Sequence, residues 1–317
     1  MKRLSYILLM IALLLATANI AEAKIRFTPQ WTPQAQFAGI YVALEKGFFT
    51  DEGLDVEIKH IKQATRLSAT DLLKNGETDI ITSQFIGALI LRSKGMPLVN
   101  ILQTSQNCGL VCISTKPLTS YKQLNGKKIA TWKSGFREIS ELAFSDKKIK
   151  VDWIEALYGI NLYVAKAVDG MLAYSYNEYV RLLMALGEIS NKNVIRFSDI
   201  GYNYPEDGLY TTERYYNKNK NDVKKFAEAV KRGWDYVREN PEEALEITKK
   251  YMKLNNIPTS NIHQELMLKE ILRLQLNSRG IADYAPVSQK TFNEIYQKLH
   301  QAQMLKKNVK YDDIIMK

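Results

Sequence analysis

The chain has 317 residues, 46% of them hydrophobic, and a formal net charge of +10. That length is enough for two lobes, each with a core of its own. The charge excess is mostly Lys, spread over Lys147–Lys150, Lys218–Lys225, Lys249–Lys253 and Lys306–Lys310. With no Arg stripe and no recognition helix, this pattern speaks for solvated Lys faces and against a nucleic-acid partner.

The N-terminus reads as a secretory signal peptide. Lys2 and Arg3 form a positive start, Ile7 to Ala16 an apolar core, and Ala21-Glu22-Ala23 a small-residue cleavage site. The apolar run is shorter than the ~20 residues of a membrane span, so an uncleaved anchor is the weaker reading. Residues 1–23 are therefore expected to be removed, leaving a soluble protein outside the cytoplasm.

From residue 24 the chain alternates short β-rich runs with helical patterns. Lys24–Trp31 is expected as a strand, Phe37–Lys46 as a helix stopped by Gly47, and Leu54–Ile58 as a strand. A helix at Leu67–Asn75, a strand at Asp79–Ser83, a helix at Phe85–Lys94 and a strand at Leu98–Ser105 follow. Such alternation implies right-handed crossovers and a largely parallel sheet. Gly39 is expected to let the first helix pack close to that sheet.

Cys108–Ser114 reads as strand, which would hold its two cysteines about 13 Å apart, too far to bond. Cys108 and Cys112 are expected as buried small hydrophobes. His60, His263 and His300 show no zinc spacing.

A second α/β set covers Lys127–Thr131, Val151–Ile154, Gly170–Tyr174, the helix Asn177–Leu186 and the strand Val194–Phe197. The rest reads as helical. Val223, Phe226, Val230, Trp234 and Val237 form an amphipathic stripe within Asp222–Arg238. Asn240-Pro241-Glu242-Glu243 has the composition of a capped helix start. Two more helices are expected around His263–Leu276 and Ser288–Ala302. The pattern is α/β, then α/β, then helices, and points to two hinged lobes with a cleft between them. Ligands of open α/β sheets sit at the carboxyl ends of the strands. Trp31–Phe37, Ser83–Gln84, Thr131–Ser134 and Tyr174–Glu178 are such ends.

The stretch "WTPQAQFAGIYVALEKGFFTDEGLDVEI" resembles the periplasmic solute-binding proteins of ABC transporters, in the thiamine-pyrimidine and sulfonate–nitrate–taurine group. "NGETDI" from Asn75, "RSKGMPLVNI" from Arg92, "LNGKKIATW" from Leu124, "DGMLAYSYNEY" from Asp169, "PEDGLY" from Pro205 and "GWDYVRENPEEAL" from Gly233 extend the likeness over nearly all of residues 24–317. It implies a two-lobed α/β Venus-flytrap fold of the type II periplasmic-binding-protein kind, with mixed, mostly parallel sheets. Lobe 1 would span 24–114 and return over 206–317 with the C-terminal helices; lobe 2 would span 115–205. It also implies a small-molecule ligand, an ABC permease in the inner membrane as partner, and a monomer without cofactor or metal.

The resemblance includes an enzyme branch, the thiamine pyrimidine synthases, which build their product from pyridoxal phosphate and one of their own histidines, with iron. Ser83 and Gly87 stand where that branch carries its pyridoxal-bearing Lys and donor His, and Pro205-Glu206-Asp207-Gly208 stands in place of its cysteines. A Schiff base needs an amine, and no Lys lies between Lys74 and Lys94. The members that bind formylaminopyrimidine carry an Asn before the first Trp, where this chain has Gln30.

These features select the candidate site residues. Trp31 stacks on a flat ring or caps the sheet end. Gln34 and Gln36 read ring edges, each offering donor and acceptor, or serve as turn residues. Phe37 is cleft wall or core, and Gln84 ends a strand. Tyr174, Tyr176, Asn177 and Glu178 cluster where a strand gives way to a helix. Asn177 is the cap or a ligand contact; Glu178 is a first-turn acid or accepts from an aminopyrimidine-like face. Asp207 is a second acid, placed in a turn, and Trp132 closes over the ligand from lobe 2. A transported heterocycle is the expected cargo. A synthase-like role in thiamine biosynthesis, or binding of sulfonate, nitrate or taurine, is the alternative. Such anions favour Arg or nests of donors, and the proposed cleft segments contain no Arg, although Lys133 and Arg137 lie nearby.

Overall fold

The computed structural model describes residues 24–61, 67–132, 136–156, 159–258 and 260–316. The expected signal peptide, and Lys133 and Ser134 of the second-lobe segment, lie outside the described residues. No described helix is long and apolar enough to cross a membrane.

Among the described residues, ten strands form two five-stranded sheets with the same plan. The first holds β1 (Ile25–Thr28), β2 (Val56–Ile58), β3 (Ile80–Gln84), β4 (Leu98–Gln103) and β10 (Asp207–Thr212), in the order β2-β1-β3-β10-β4. The second holds β5 (Leu110–Ser114), β6 (Lys128–Thr131), β7 (Asp152–Glu155), β8 (Gly170–Tyr174) and β9 (Val194–Arg196), in the order β7-β6-β8-β5-β9. In each sheet one strand runs against the rest: β10 between β3 and β4, and β5 between β8 and β9. It is the strand with which the chain enters that sheet after crossing from the other.

This arrangement corrects three expectations. Asp207 was placed in a turn because Asp-Gly is a strong turn signal. It instead opens β10, which lies between β3 and β4 and whose Leu209, Tyr210 and Thr211 are fully buried. Leu110–Ser114, counted with the first lobe from sequence, pairs in the second sheet. Gly39 faces a helix rather than the sheet: a Cβ there would lie 2.4 Å from the Trp234 ring.

Helices pack on both sheets. The stripe on Lys220–Glu239 buries Val223, Phe226, Val230, Trp234 and Val237, as its spacing predicts. Phe226 lies between Phe27, with ring centroids 5.9 Å apart, and Phe49, at 4.8 Å. The helix also presses on Ala38–Glu45, where a Cβ on Gly233 would fall 2.0 Å from the Gly39 carbonyl. Pro241 starts the next helix, but Asn240 makes no side-chain cap; its amide donates back to the Tyr236 carbonyl at 3.2 Å. In the second lobe Phe144 stacks on Trp153 and meets Phe197. Both cysteines are buried and unbonded.

The two crossings run side by side. The backbone N–H groups of Thr104 and Ser105, on the way out, donate to the carbonyl of Asp207, on the way back, at 3.0 and 2.9 Å. The carboxyl ends of β1, β3, β6 and β8 face the space between the lobes. Because β10 is antiparallel, its first residue joins them: Asp207 pairs with Gln84, the last residue of β3.

Candidate functional site

The space between the lobes is a narrow, partly open cleft of about 20 Å³. Trp31, Gln30, Gln34 and Gln36 line it from the first lobe, and Trp132, Phe136, Tyr174, Tyr176, Asn177 and Glu178 from the second. Eight of the sequence-selected residues thus meet there.

One wall is aromatic. Tyr174 ends β8 and stacks on Trp132, just past β6, with centroids 5.2 Å apart and planes 29° apart. Tyr176 continues the stack at 5.1 Å. Phe136 stands edge-on to both Trp132 and Tyr174. It also meets Trp31 of the first lobe edge-to-face at 5.5 Å. Phe136 was missed from sequence. Its backbone sits at φ 69°, a conformation that costs energy for a bulky residue and recurs at functional sites.

The other wall is a chain of amides held by one carboxylate. Gln34 donates to the Gln36 carbonyl oxygen at 2.7 Å, and Gln36 donates in turn to Asp207 Oδ2 at 2.6 Å. Gln30 donates to Asp207 Oδ1 at 2.8 Å. The Gln36 amide also donates to the Tyr176 hydroxyl at 3.1 Å, which joins the lobes. Gln84 makes a second such bridge by donating to the Tyr174 hydroxyl, which itself donates to the Phe136 carbonyl at 3.0 Å. Burial raises the Asp207 pKa, and the Gln36 and Gln30 hydrogen bonds pull it back.

Glu178 opens the helix Glu178–Leu186 and is 6% exposed. It accepts from the Tyr174 N–H at 3.1 Å and from the Asn177 amide at 3.1 Å. Burial raises its pKa, while the Tyr174 and Glu178 backbone N–H groups, the Trp132 indole and the Arg181 charge favour the anion. Asn177 makes no side-chain cap and orients Glu178 instead.

Three sequence-selected residues stand apart from the cleft lining. Phe37, 1% exposed, packs with Tyr41 and Tyr251 and is core rather than cleft wall. Gln84 acts through Tyr174. Asp207 sits behind Gln36, where it lines a second cavity with Glu206. Sequence reasoning passed over Glu206, the acid next to Asp207 in an apparent turn. Among the described residues lining the cleft there is no Lys or Arg, and no described cluster of His, Cys, Asp and Glu could hold a metal.

Paired sheets with swapped antiparallel strands, around an interlobe cleft, define the periplasmic-binding-protein fold. The aliphatic sulphonate-binding protein SsuA of Escherichia coli superposes with a TM-score of 0.66 at 13% identity, covering 90% of this chain and 94% of that one. Residues 34–244 match the "NMT1/THI5 like" family model, and the chain belongs to that family. Its relatives include a 4-amino-5-hydroxymethyl-2-methylpyrimidine phosphate synthase of Candida albicans, 26% identical over 70% of this chain and 69% of the relative. The riboflavin-binding protein RibY of Chloroflexus aurantiacus is 23% identical over 80% and 72%. The formylaminopyrimidine-binding protein of Halalkalibacterium halodurans is 23% identical over 79% and 77%.

Proposed function

We propose that this protein is an extracytoplasmic solute-binding protein that delivers a small planar heterocycle to an ABC importer. The carrying observation is the composition of the cleft: stacked Trp132, Tyr174 and Tyr176 facing Trp31, with neutral amides and one buried carboxylate. Ring faces stack on aromatics, and amides with a carboxylate suit ring nitrogens and amino groups. Two of the relatives are named for binding such rings, riboflavin and formylaminopyrimidine. The lobes would close on the ring and present the closed form to a permease.

The synthase-named relatives support a second reading, a role in making the thiamine pyrimidine. Ser83 and Gly87 supply neither amine nor imidazole at the places where that branch carries them, which favours binding over synthesis.

Calorimetric titration tests the proposal, with formylaminopyrimidine, hydroxymethylpyrimidine, thiamine, riboflavin, taurine, an alkanesulfonate, nitrate and pyridoxal phosphate. Micromolar or tighter binding of one heterocycle, weakened in Trp31→Ala, is expected. Binding confined to sulfonate, taurine or nitrate overturns the ligand class. Pyridoxal phosphate bound with the absorbance of a Schiff base returns the synthase reading.

A further inference from the structure

The second cavity, of about 10 Å³ with room for roughly one water-sized group, shares Gln36 and Tyr176 with the first. Those two side chains, joined by a 3.1 Å hydrogen bond, line both chambers, and we read them as the partition between the two. Trp234 lines the inner one; it is 2% exposed, and its indole N–H has no acceptor among the described residues. Buried donors in native proteins are nearly always paired, so an orphan asks for an explanation.

Glu206 is the second unusual group in this chamber. It is 2% exposed, accepts from the Leu110 N–H at 3.2 Å and is followed by the Asp207 carboxylate. Burial raises its pKa to about 8 against the pull of the Gly109 N–H, and the Asp207 charge adds to the rise. At neutral pH it carries a proton and has an O–H to give. Two more of its polar groups are already committed. Thr104 donates its hydroxyl to the Asp207 carbonyl at 3.0 Å, and the Asp207 carboxylate holds Gln30 and Gln36. What remains is donor capacity, in a space whose one fixed charge is negative.

We propose that the inner chamber takes a neutral, acceptor-bearing arm of the ring ligand, a hydroxyl or carbonyl, and rejects an anionic ester at the same place. This rests on the heterocycle reading above and deepens it. A ring held against Tyr174 and Tyr176 directs a short arm at the partition. Gln36 keeps its bond to Asp207 while it releases Tyr176, so the partition opens at the loss of one hydrogen bond, and the arm replaces it with the Trp234 and Glu206 donors.

The test uses three probes with one ring: 4-amino-2,5-dimethylpyrimidine, its 5-hydroxymethyl counterpart, and the phosphate ester of the latter. Calorimetry on the unaltered protein is expected to show the hydroxymethyl ring binding about tenfold tighter than the dimethyl ring, the difference one satisfied buried donor makes. The ester is expected to bind more weakly than both. Trp234→Phe, which keeps an aromatic ring, is expected to erase the hydroxymethyl preference and leave dimethyl binding unchanged; Glu206→Gln, which keeps a donor, retains the preference. A hydroxymethyl ring no tighter than the dimethyl ring, an ester as tight as the alcohol, or a preference that survives Trp234→Phe overturns the inner-chamber assignment with the cleft reading intact. No binding by any of the three overturns this assignment together with the pyrimidine form of the cleft reading. The probe series needs no variant, so a Trp234→Phe chain that fails to fold leaves the test decisive.

Discussion

Gln36 of the first lobe and Tyr176 of the second are joined by a 3.1 Å hydrogen bond, and Gln36 is anchored from behind by Asp207 at 2.6 Å. Asp207 lies on the returning crossing and pairs with the last residue of β3. The contact between the lobes is thus positioned by the connection about which the lobes would hinge.

Asp207→Ala leaves the Gln30 and Gln36 amides without their common acceptor. Unmet buried donors cost about 1–3 kcal/mol each, so a loss of roughly 2–4 kcal/mol in chemical denaturation is expected. Asp207→Asn keeps the shape and one acceptor, and is expected to lose less.

Tyr174→Phe removes the hydroxyl between Gln84 and the Phe136 carbonyl. The stack on Trp132 survives, so ring binding is expected to weaken only a fewfold. Stability is expected to fall by about 1–3 kcal/mol. A loss of binding with stability untouched would contradict this division of labour.

Stability should depend on pH through two buried groups that act in opposite directions. Glu206 has its folded pKa raised to about 8 from 4.5. Between those values the folded chain holds a proton that the unfolded chain has lost, so stability falls as pH rises, by up to ~1.4 kcal/mol per pH unit. Burial beside Tyr41 lowers the His60 pKa from 6.5 to about 4, so its contribution is lost as pH falls through that range. The two slopes offset each other between about 4.5 and 6.5. Above 6.5 the His60 slope is gone and the Glu206 slope remains. Urea midpoints from pH 5 to 8.5 are expected to decline above 6.5, and Glu206→Gln to flatten the decline.

Gly233→Ala places a methyl group 2.0 Å from the Gly39 carbonyl, where backbone must move. Overpacking of this kind costs about 1–3 kcal/mol, occasionally more. A drop of several degrees in melting temperature is expected. An unchanged melting temperature would show that the helix pair tolerates wider spacing.

Much of the fold was legible from sequence. The period-2 and period-3.6 patterns placed nine of the ten strands and the long helix. The exception, β10, begins with Asp-Gly, whose local preference is a turn; pairing on both sides overrides it. The lobe assignment rested on the family resemblance, since no local pattern tells a chain which sheet a strand will join. Within the site, strand ends gave Trp31, Trp132, Tyr174 and Tyr176. Phe37 was left open between cleft wall and core, because helical position alone does not say which face meets the core. Phe136 and Glu206 carried no signal: one depends on a backbone angle, the other on a neighbour from the opposite crossing.

The antiparallel strand at the heart of the first sheet has a consequence for biosynthesis. β3 and β4 are translated early, yet each awaits β10 as a neighbour. At ~5–20 residues per second, the ribosome makes the whole second lobe before that slot can be filled. Until then the first lobe presents two open strand edges, the kind of surface that templates aggregation. A chain ending before Asp207 is expected to precipitate, and one ending just past Glu239, with β10 and its covering helix supplied, to be markedly more soluble.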